Sequence, residues 1–422
     1  MKIKRERTSS ENDECVAFNL ALRQTRRGAT SLSPAVTPAV VVGLCAHGLG
    51  IVRELAHAKV PVIALESNMA LPGVKTRLAQ IRRVTDINSP TLIDDLDALA
   101  KTLGPDVHPV LFLTNDRMVQ VLGEAAQQHI SRRFRLSWAH AATRLLPLLS
   151  KSEIEARCAE TGLNYPKSHL AHTLDEVPIA LAGLRFPVIA KPVQPLSAFK
   201  TLIAQQPEDL PAAHKKIASS LPVLLQEFIP GGDDQIQFGA LYLDHGKIIA
   251  RFEGRKLHSR PMGHTTIGIS EPNDEVHALT ARFFSGLDLS GPVSLELKRA
   301  EDGSFWVIEP TVGRTDFWAG LCSANGVPLA VIEYLTVLGQ PAPISTQFVH
   351  RTWINGERFP GALLWLLIHH PTRLREGARG VYLDYDDLAP FVCATRQSIV
   401  SIPGRAMRKA CRQFGFSSRK DT

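Results

Sequence analysis

The sequence lacks any apolar run that could cross a membrane as a helix, which takes about 20 residues. Its longest candidate, residues 361–368, stops at His369-His370-Pro371. The N-terminal residues are charged and polar, and no apolar segment typical of a secretory signal follows them. We therefore expect neither a membrane-spanning helix nor export, and we expect a cytoplasmic location.

Cysteine is scarce and scattered. No two of the six cysteines are spaced as Cys-x-x-Cys. Zinc sites and disulfide frameworks normally need cysteines in closely spaced sets. We therefore expect reduced thiols, and neither a zinc site nor a disulfide scaffold.

The body of the chain has no net positive charge, although the whole chain has a net charge of +7. Residues 1–37 carry +3 and residues 404–422 carry +5, which leaves −1 between them. Because nucleic-acid-binding proteins need a basic surface on the folded body, this distribution disfavours nucleic acid as a partner. We predict a mobile polar leader over 1–37. The basic tail, 404–422, is either a solvated end or a short amphipathic helix in weak contact with an anionic surface.

The composition is that of an ordinary globular protein, at 44% hydrophobic and 21% charged residues over 422 positions. From residue 38 to 145, short apolar strands alternate with helices, which predicts a Rossmann-like domain with a parallel, doubly wound sheet. The glycine turn Gly43-x4-Gly48-x-Gly50 follows its first strand. It has neither the Lys-Ser/Thr pair of a P-loop nor GxGxxG spacing, so we interpret it as a structural turn.

A second domain, with mixed α+β character, is predicted over 146–340. Ser150 and Glu153 have capping-box spacing, which predicts a helix running to Thr161. Asp302-Gly303 predicts a tight hairpin. The remaining predicted elements are strands at 187–191, 223–228, 238–242, 247–252, 292–298 and 305–309, and helices at 207–219 and 274–284. Residues 341–422 are expected to form a small C-terminal appendage.

Candidate functional residues follow the strands of the second domain. Lys191 ends an apolar strand, where its charge would lie at the edge of a cleft and suit a phosphate group. Alone, such a lysine is more often simply solvated. Residues 224–229 form a strand that leads into a bend with Asp233 and Asp234. A carboxylate there could bind ribose hydroxyls, and the strand backbone could read the edge of an adenine ring.

Two glutamates suggest a metal site. Glu296 and Glu309 end paired strands and lie 13 residues apart across a hairpin, so they can face one cleft. Carboxylates with phosphate oxygens are good ligands for Mg²⁺. A stretch rich in cations, residues 254–261, includes Lys256 and precedes both glutamates.

This ordered set of residues, from about 38 to 340, resembles the ATP-grasp ligases of the carboxylate–amine type. The resemblance implies a Rossmann-like pre-ATP-grasp domain followed by a two-subdomain ATP-grasp fold. It implies ATP and Mg²⁺ as cofactors, with Mn²⁺ as an alternative metal, and small-molecule carboxylate and amine substrates. The implied roles are Lys151 and Lys191 for ATP phosphates; Gln226, Glu227, Phe228 and Ile229 for the adenine hinge; Asp234, with Asp233 as its rival, for ribose; Lys256 for phosphate; Glu296, Glu309 and Thr311 for metal; and Arg314 for the acyl phosphate.

The chain departs from the family pattern at two places. Thr311 stands where the family usually has an asparagine, so the third metal ligand is a hydroxyl. The loop after Lys191 lacks the glycines that often cover the phosphates, and Lys200 could compensate in part. Two functions therefore stay open. The first is a ligase that works through an acyl phosphate and releases ADP and phosphate, and the second is a nucleotide-binding regulatory or scaffold protein with an eroded site.

Overall fold

The computed structural model of the protein describes residues 36–123, 125–193, 199, 201–209, 215–259, 265–348 and 351–399. Three β-sheets, with helices packed against them, make up most of these residues. The leader predicted over 1–37, apart from its last two residues, lies outside the described part, as do the basic tail at 404–422 and Lys200. No helix in the described ranges is long and apolar enough to cross a membrane.

The α-helices with defined bounds are α1 (Ala46–His57), α2 (Thr91–Leu103), α3 (Asp116–Leu122), α4 (Ala125–Gln128), α5 (Ala142–Leu145), α6 (Lys151–Thr161), α7 (Glu176–Ala182), α8 (Asp274–Phe284), α9 (Ala319–Ala324), α10 (Leu329–Val337), α11 (Ala362–His369) and α12 (Pro371–Glu376).

The first sheet is parallel and has the strand order β3–β2–β1–β4. Every residue of its central strand β1 is buried, as the run of Ala and Val predicts for a strand covered on both faces. This sheet confirms the Rossmann-like prediction. Its strands are β1 (Ala39–Val42), β2 (Val62–Glu66), β3 (Gln80–Arg83) and β4 (Val110–Leu113).

The glycine turn after β1 is structural, as predicted. Gly43 has φ +93°, and a Cβ there would lie 2.2 Å from Oγ1 of Thr114. A Cβ on Gly48 would lie 1.9 Å from the carbonyl oxygen of Gly43. Only glycine tolerates both the backbone conformation and the close approach. The turn is further held by Glu66, which accepts a hydrogen bond of 2.6 Å from the N–H of Leu44.

Two further sheets follow, the second antiparallel and the third antiparallel except for its parallel pair β14–β15. The second sheet has the order β5–β8–β6–β7, and the third has the order β13–β12–β9–β10–β11–β14–β15. Strands β14 and β15 come from the predicted appendage, and they extend the third sheet beyond β11. The strands are β5 (Ser168–Ala171), β6 (Val188–Pro192), β7 (Leu202–Ala204), β8 (Val223–Glu227), β9 (Ile236–Asp244), β10 (Lys247–Ser259), β11 (Thr265–Ser270), β12 (Gly291–Arg299), β13 (Phe305–Val312), β14 (Thr352–Ile354) and β15 (Ala378–Gly380).

The hydrophobic core links the first sheet to the third. One continuous cluster contains Leu111 and Leu113 of β4 together with Leu241 of β9 and Leu295 of β12. The opposite face of the third sheet packs against α9 and α10, where the ring of Phe238 stacks on that of Trp318 at 3.9 Å. The third sheet is therefore covered on both faces, which holds its strands in fixed positions.

Local signals were accurate for some helices and wrong in detail for others. Helix α6 begins and ends where the sequence predicts, but no capping box forms, because Oγ of Ser150 bonds Oγ of Ser152 instead of a backbone N–H. Gly162 ends this helix in the left-handed conformation. The helix predicted at 207–219 is a 3₁₀ turn at Pro207–Asp209 and helical again at 215–218, with 210–214 outside the described residues.

A buried ion pair fastens the C-terminal segment to α1. Arg53 lies 3.1 Å from Asp387, and the Asp387 side chain is fully buried. The guanidinium of Arg53 also donates to the carbonyl oxygens of Val381, Tyr382 and Asp387. Residues 381–387 are thereby held against a helix that follows the first strand of the chain.

We expect Asp387→Ala to lower the free energy of unfolding by about 3–5 kcal/mol, since it would leave the Arg53 charge buried without a counter-charge. Urea unfolding of the full chain measures this change. Asp386→Ala is the matched control, because the neighbouring Asp386 side chain is 80% exposed. Equal losses in the two variants would contradict the assigned role of the ion pair.

Candidate active site

The register of β12 and β13 puts Glu296 directly opposite Glu309. Directly opposed residues of antiparallel strands project from the same face of a sheet. The expectation that the two carboxylates share one cleft therefore agrees with the strand pairing. On the neighbouring part of the sheet, Nζ of Lys256 from β10 lies 3.0 Å from the Glu296 carboxylate.

Two lysines approach these carboxylates from other elements. Lys191 lies near the end of β6, and its Nζ donates to Oε1 of Gln226 at 2.9 Å. Burial and then the charge of Lys151 lower the pKa of Lys191 to about 8, while Glu309 acts in the opposite direction. Burial also lowers the pKa of Lys151, the first residue of α6, and Glu309 again opposes the shift. The two lysines and Glu309 therefore form one electrostatically coupled group.

Several charges surround the carboxylate of Glu309. Desolvation raises the pKa of its carboxyl group, and the negative charges of Glu296 and Asp116 raise it further. Its side chain nevertheless keeps contact with solvent. The raised pKa and the solvent contact together indicate that protein groups surround Glu309 closely while one side faces an open cleft.

Arg314 connects this cluster to the first sheet. Its Nε lies 2.7 Å from Oδ1 of Asp116, the first residue of the helix that follows β4. Beside it, the buried His47 ring contacts the carbonyl oxygen of Thr114 through Nδ1 at 3.3 Å and Oγ1 of Thr315 through Nε2 at 2.8 Å. Burial and the Arg314 charge lower the pKa of His47 to about 3, so the ring is neutral. Because a carbonyl only accepts, His47 carries its proton on Nδ1 and accepts from Thr315.

The hydroxyl group of Thr311, the predicted third metal ligand, is already engaged. It donates to Oδ2 of Asp316 at 2.9 Å. Burial raises the pKa of Asp316 to about 6; the Arg314 charge lowers it and the Glu296 charge raises it. Asp316 therefore brings a third carboxylate close to the pair of glutamates, and lone pairs of the Thr311 oxygen stay available.

The predicted adenine hinge is the end of β8. The Phe228 N–H donates to the carbonyl oxygen of Pro187 at 2.8 Å, and Pro187 has no N–H to return a bond to the Phe228 carbonyl. The Glu227 side chain turns away to accept from the backbone and guanidinium of Arg185. Glu227 can therefore contribute only its backbone groups to the predicted hinge. Ile229, two residues further on, is buried.

The two candidate ribose carboxylates differ in their surroundings. Asp233 accepts a short hydrogen bond from Oγ of Ser259, whereas Asp234 is exposed and contacts only the amide of Gln235 among the described residues. Burial lowers the pKa of the nearby Lys298, and the charges of both carboxylates oppose this shift. Nζ of Lys298 donates to the Gly231 carbonyl at 2.8 Å and lies 4.4 Å from the centre of the Phe228 ring. Asp234 is thus the more accessible of the two.

Four residues of this region were not among the sequence candidates: His47, Asp116, Lys298 and Asp316. Lys298 could have been found, since it lies two residues after Glu296 on a strand and so shares its face. Asp116 was identified only as part of a helix start. The positions of His47 and Asp316 beside Arg314 depend on packing between sheets, which has no local signal.

Comparison with solved structures identifies the fold. The ADP complex of PurK, an N5-carboxyaminoimidazole ribonucleotide synthetase, matches with a TM-score of 0.60 and 13% identity, over 79% of this chain and 87% of that chain. The biotin carboxylase domain of a Hydrogenobacter thermophilus 2-oxoglutarate carboxylase, in complex with MgADP, matches with a TM-score of 0.58 and 13% identity, over 75% and 74%. An L-amino acid ligase from Bacillus licheniformis matches with a TM-score of 0.54 and 17% identity, over 76% and 79%.

The chain has the fold of the ATP-grasp ligases, with a Rossmann-like domain before it, as the sequence resemblance implied. No family model and no curated protein sequence matches the chain. At identities of 13–17%, the structural similarity shows the fold alone.

The lowered pKa of Lys191 has a consequence for stability. Between about pH 8 and pH 10.5, the unfolded state binds more protons at this residue than the folded state, so its contribution to stability rises with pH. We expect Lys191→Met to be more stable than the unchanged protein at pH 7, by about 3 kcal/mol at most, and to lose that advantage as the pH rises through this window. Urea unfolding of both proteins at pH 7 and near pH 10 measures the difference. An advantage of the same size at both pH values would contradict the assignment.

Proposed function

We propose that the protein is an ATP-dependent, ADP-forming ligase that joins a carboxylate to an amine through an acyl phosphate. The observation that carries the proposal is the register of β12 and β13, in which Glu296 opposes Glu309, while the charges of Lys191 and Lys151 interact with Glu309. The fold supports it, and solved structures of that fold contain ADP or MgADP.

The residues of the cleft suit a divalent cation. The charge of Glu296 raises the pKa of both Glu309 and Asp316, and the charge of Asp316 also raises that of Glu309, so the three carboxylates lie within electrostatic reach of one another. Hard oxygen donors of this kind are the ligands that Mg²⁺ prefers. Glu296 and Glu309 would hold the ion, with the Thr311 oxygen as a third candidate. When bound, it would supply positive charge beside the phosphate oxygens.

The remaining work of the site is positioning and charge neutralisation. In the proposed reaction, a carboxylate oxygen bonds to the γ-phosphorus of ATP and ADP leaves. The neutral amine nitrogen then bonds to the acyl carbon and loses a proton, and phosphate leaves with the electrons of the C–O bond and takes up that proton. Lys191 and Lys151 would offset the phosphoryl charge, with Lys256 beside Glu296. Arg314, held by Asp116, would face the acyl phosphate.

The end of β8 supports a purine-binding role. An adenine edge presents one donor and one acceptor, and it needs a complementary pair from the protein. The Phe228 carbonyl receives no ladder bond from Pro187, and no backbone acceptor for the Ile229 N–H is found in the described ranges. These groups, with Asp234 for the ribose, form the proposed nucleoside site.

A nucleotide-binding regulatory protein without turnover is the second candidate. Thr311 favours it, because its hydroxyl oxygen, which donates to Asp316, stands where the family usually has an amide ligand. The two candidates differ in one measurable respect. A ligase releases ADP when supplied with a suitable carboxylate and amine, whereas the binding protein retains ATP unchanged.

For the nucleotide site, we expect Mg-ATP to raise the melting temperature of the full chain, since a ligand that binds only the folded state stabilises it. Lys191→Ala should remove most of this shift. Lys247→Ala is the control, because Lys247 is an exposed lysine on the β9–β10 hairpin. Equal shifts for Lys191→Ala and the control would refute the assignment of Lys191.

For the metal site, we expect Glu296→Gln or Glu309→Gln to abolish the extra stabilisation that Mg²⁺ adds to ATP, because each removes a charge and keeps the volume. Stabilisation by ATP with a chelator should change little. An ADP-release assay over paired carboxylic acids and amines should show turnover collapsing in both variants. Glu301→Gln, in the exposed β12–β13 turn, is the control and should retain the Mg²⁺ effect. Retention of that effect in Glu309→Gln would exclude this residue as a ligand.

A further inference from the structure

A cavity of about 190 Å³ lies between α1, the segment 315–324 and the paired strands β14 and β15. A water molecule takes up about 30 Å³ in the liquid, and a 150 Å³ apolar cavity accommodates benzene. The space therefore suits a molecule of roughly six to nine non-hydrogen atoms. It is too small for a nucleotide.

The cavity adjoins the candidate active site. His47 and Thr315 form part of its wall, and they are hydrogen-bonded to each other at 2.8 Å. Thr315 follows Arg314 in the chain, and its carbonyl oxygen accepts from Nη1 of Arg314 at 3.0 Å. A molecule in the cavity is thus one layer of side chains away from Arg314.

One side of the cavity carries positive charge. Arg351 and Arg379 line it, and both are exposed, so they lie towards solvent. Arg379 keeps a single ion pair, with Asp384 at 3.0 Å, and Arg351 has no ion pair in the described ranges. Arg53 also lines the cavity, but its charge is matched by the buried Asp387. Arg351 therefore lacks a counter-charge among the described residues, and Arg379 pairs with Asp384 through Nη2, which leaves its other N–H groups for a ligand, so this side favours an anionic group.

The other polar side carries a carboxylate. Glu54 of α1 lines the cavity, and its Oε1 accepts from the N–H groups of Ala330 and Val331 at 2.8 and 3.0 Å. No cation pairs with Glu54 among the described residues, and burial raises its pKa to about 7. The Ser323 side chain also hydrogen-bonds this carboxylate. Because a carboxylate oxygen can accept more than one bond, an ammonium group would still find an acceptor there and would supply a counter-charge.

The rest of the lining is largely apolar, with Ile51, Phe317, Trp353 and Val381 among its residues. A ligand that fits must combine a carboxylate, an ammonium group and a compact apolar body. This combination describes a small amino acid. Neutral molecules of the same size would leave both Arg351 and Glu54 without a counter-charge.

We propose that this cavity binds a small zwitterionic amine, with its carboxylate at Arg351 and Arg379 and its ammonium group at Glu54. Binding of this molecule is assigned no step in the proposed reaction, so it does not rest on the proposed function. Every group that recognises the ligand lies outside the nucleotide cleft.

The first test measures binding of named probes to the full chain. Thermal shift and titration calorimetry would compare β-alanine, L-alanine, L-valine and L-leucine with propionate and L-alaninamide, which lack one of the two charges. We expect at least one zwitterion to bind about tenfold or more tightly than either single-charge analogue, as the loss of a charged hydrogen-bonded contact predicts. Absence of binding by all four zwitterions, or equal binding of the analogues, would overturn the proposal.

The second test uses variants of the lining. Arg351→Gln and Arg379→Gln should each weaken binding of the zwitterion about tenfold, whereas Arg375→Gln, on α12 and outside the lining, should not. Gly50→Leu should abolish binding by filling the space, since a Cβ at Gly50 meets no atom within 4 Å. Unchanged affinity in Gly50→Leu would show that the ligand binds elsewhere.

The response to Mg-ATP separates this inference from the proposed function. All four variants should retain the Mg-ATP shift, which also shows that they fold. A normal Mg-ATP shift without zwitterion binding refutes the cavity assignment and leaves the ligase proposal standing. Zwitterion binding without any Mg-ATP shift supports the cavity and refutes the ligase.

Discussion

The direct opposition of Glu296 and Glu309 on neighbouring antiparallel strands is the constraint around which the candidate site is organised. Like charges at opposed positions destabilise a sheet. The chain offsets this cost with cations from separate elements: Lys256 from β10, Lys191 from β6 and Lys151 from α6. Those lysines in turn repel one another. Such concentrations of opposing charge reduce stability and are typical of functional sites.

The first sheet does more than precede the site along the chain. Its β4 end supplies Asp116 to Arg314, and its glycine turn leads into the helix that carries His47. A neutral histidine beside an arginine adds no repulsion, so it can fix Thr315 without weakening the positive charge. The arginine is therefore oriented by two groups from the Rossmann-like sheet, although it follows a strand of the third sheet.

The sequence was informative where a physical signal is local. Helix α8 has the predicted bounds, because Asn273 caps its start and its apolar residues recur with helical spacing. Strands β3, β5, β7, β14 and β15 were missed, since three or four residues are too few to show a period. The six-residue strand β11 was missed as well. The Ser150 capping box failed because a neighbouring hydroxyl, that of Ser152, competed for the bond. The sequence predicted that Glu296 and Glu309 face one cleft, because they lie 13 residues apart across a hairpin. The positions of Asp116, His47 and Asp316 beside Arg314 could not be predicted, since they arise only when two sheets pack together.

The Arg53–Asp387 ion pair joins residues 334 positions apart in the chain. During synthesis, α1 leaves the ribosome long before residues 381–387 exist, and these residues supply both the counter-charge and the carbonyl groups that bond the Arg53 guanidinium. Contacts of such sequence separation also slow folding, because a long loop must close before they form. The N-terminal unit therefore completes its packing only after the last strands are made. The cavity beside α1, whose walls come from both ends of the fold, is among the final features to take shape.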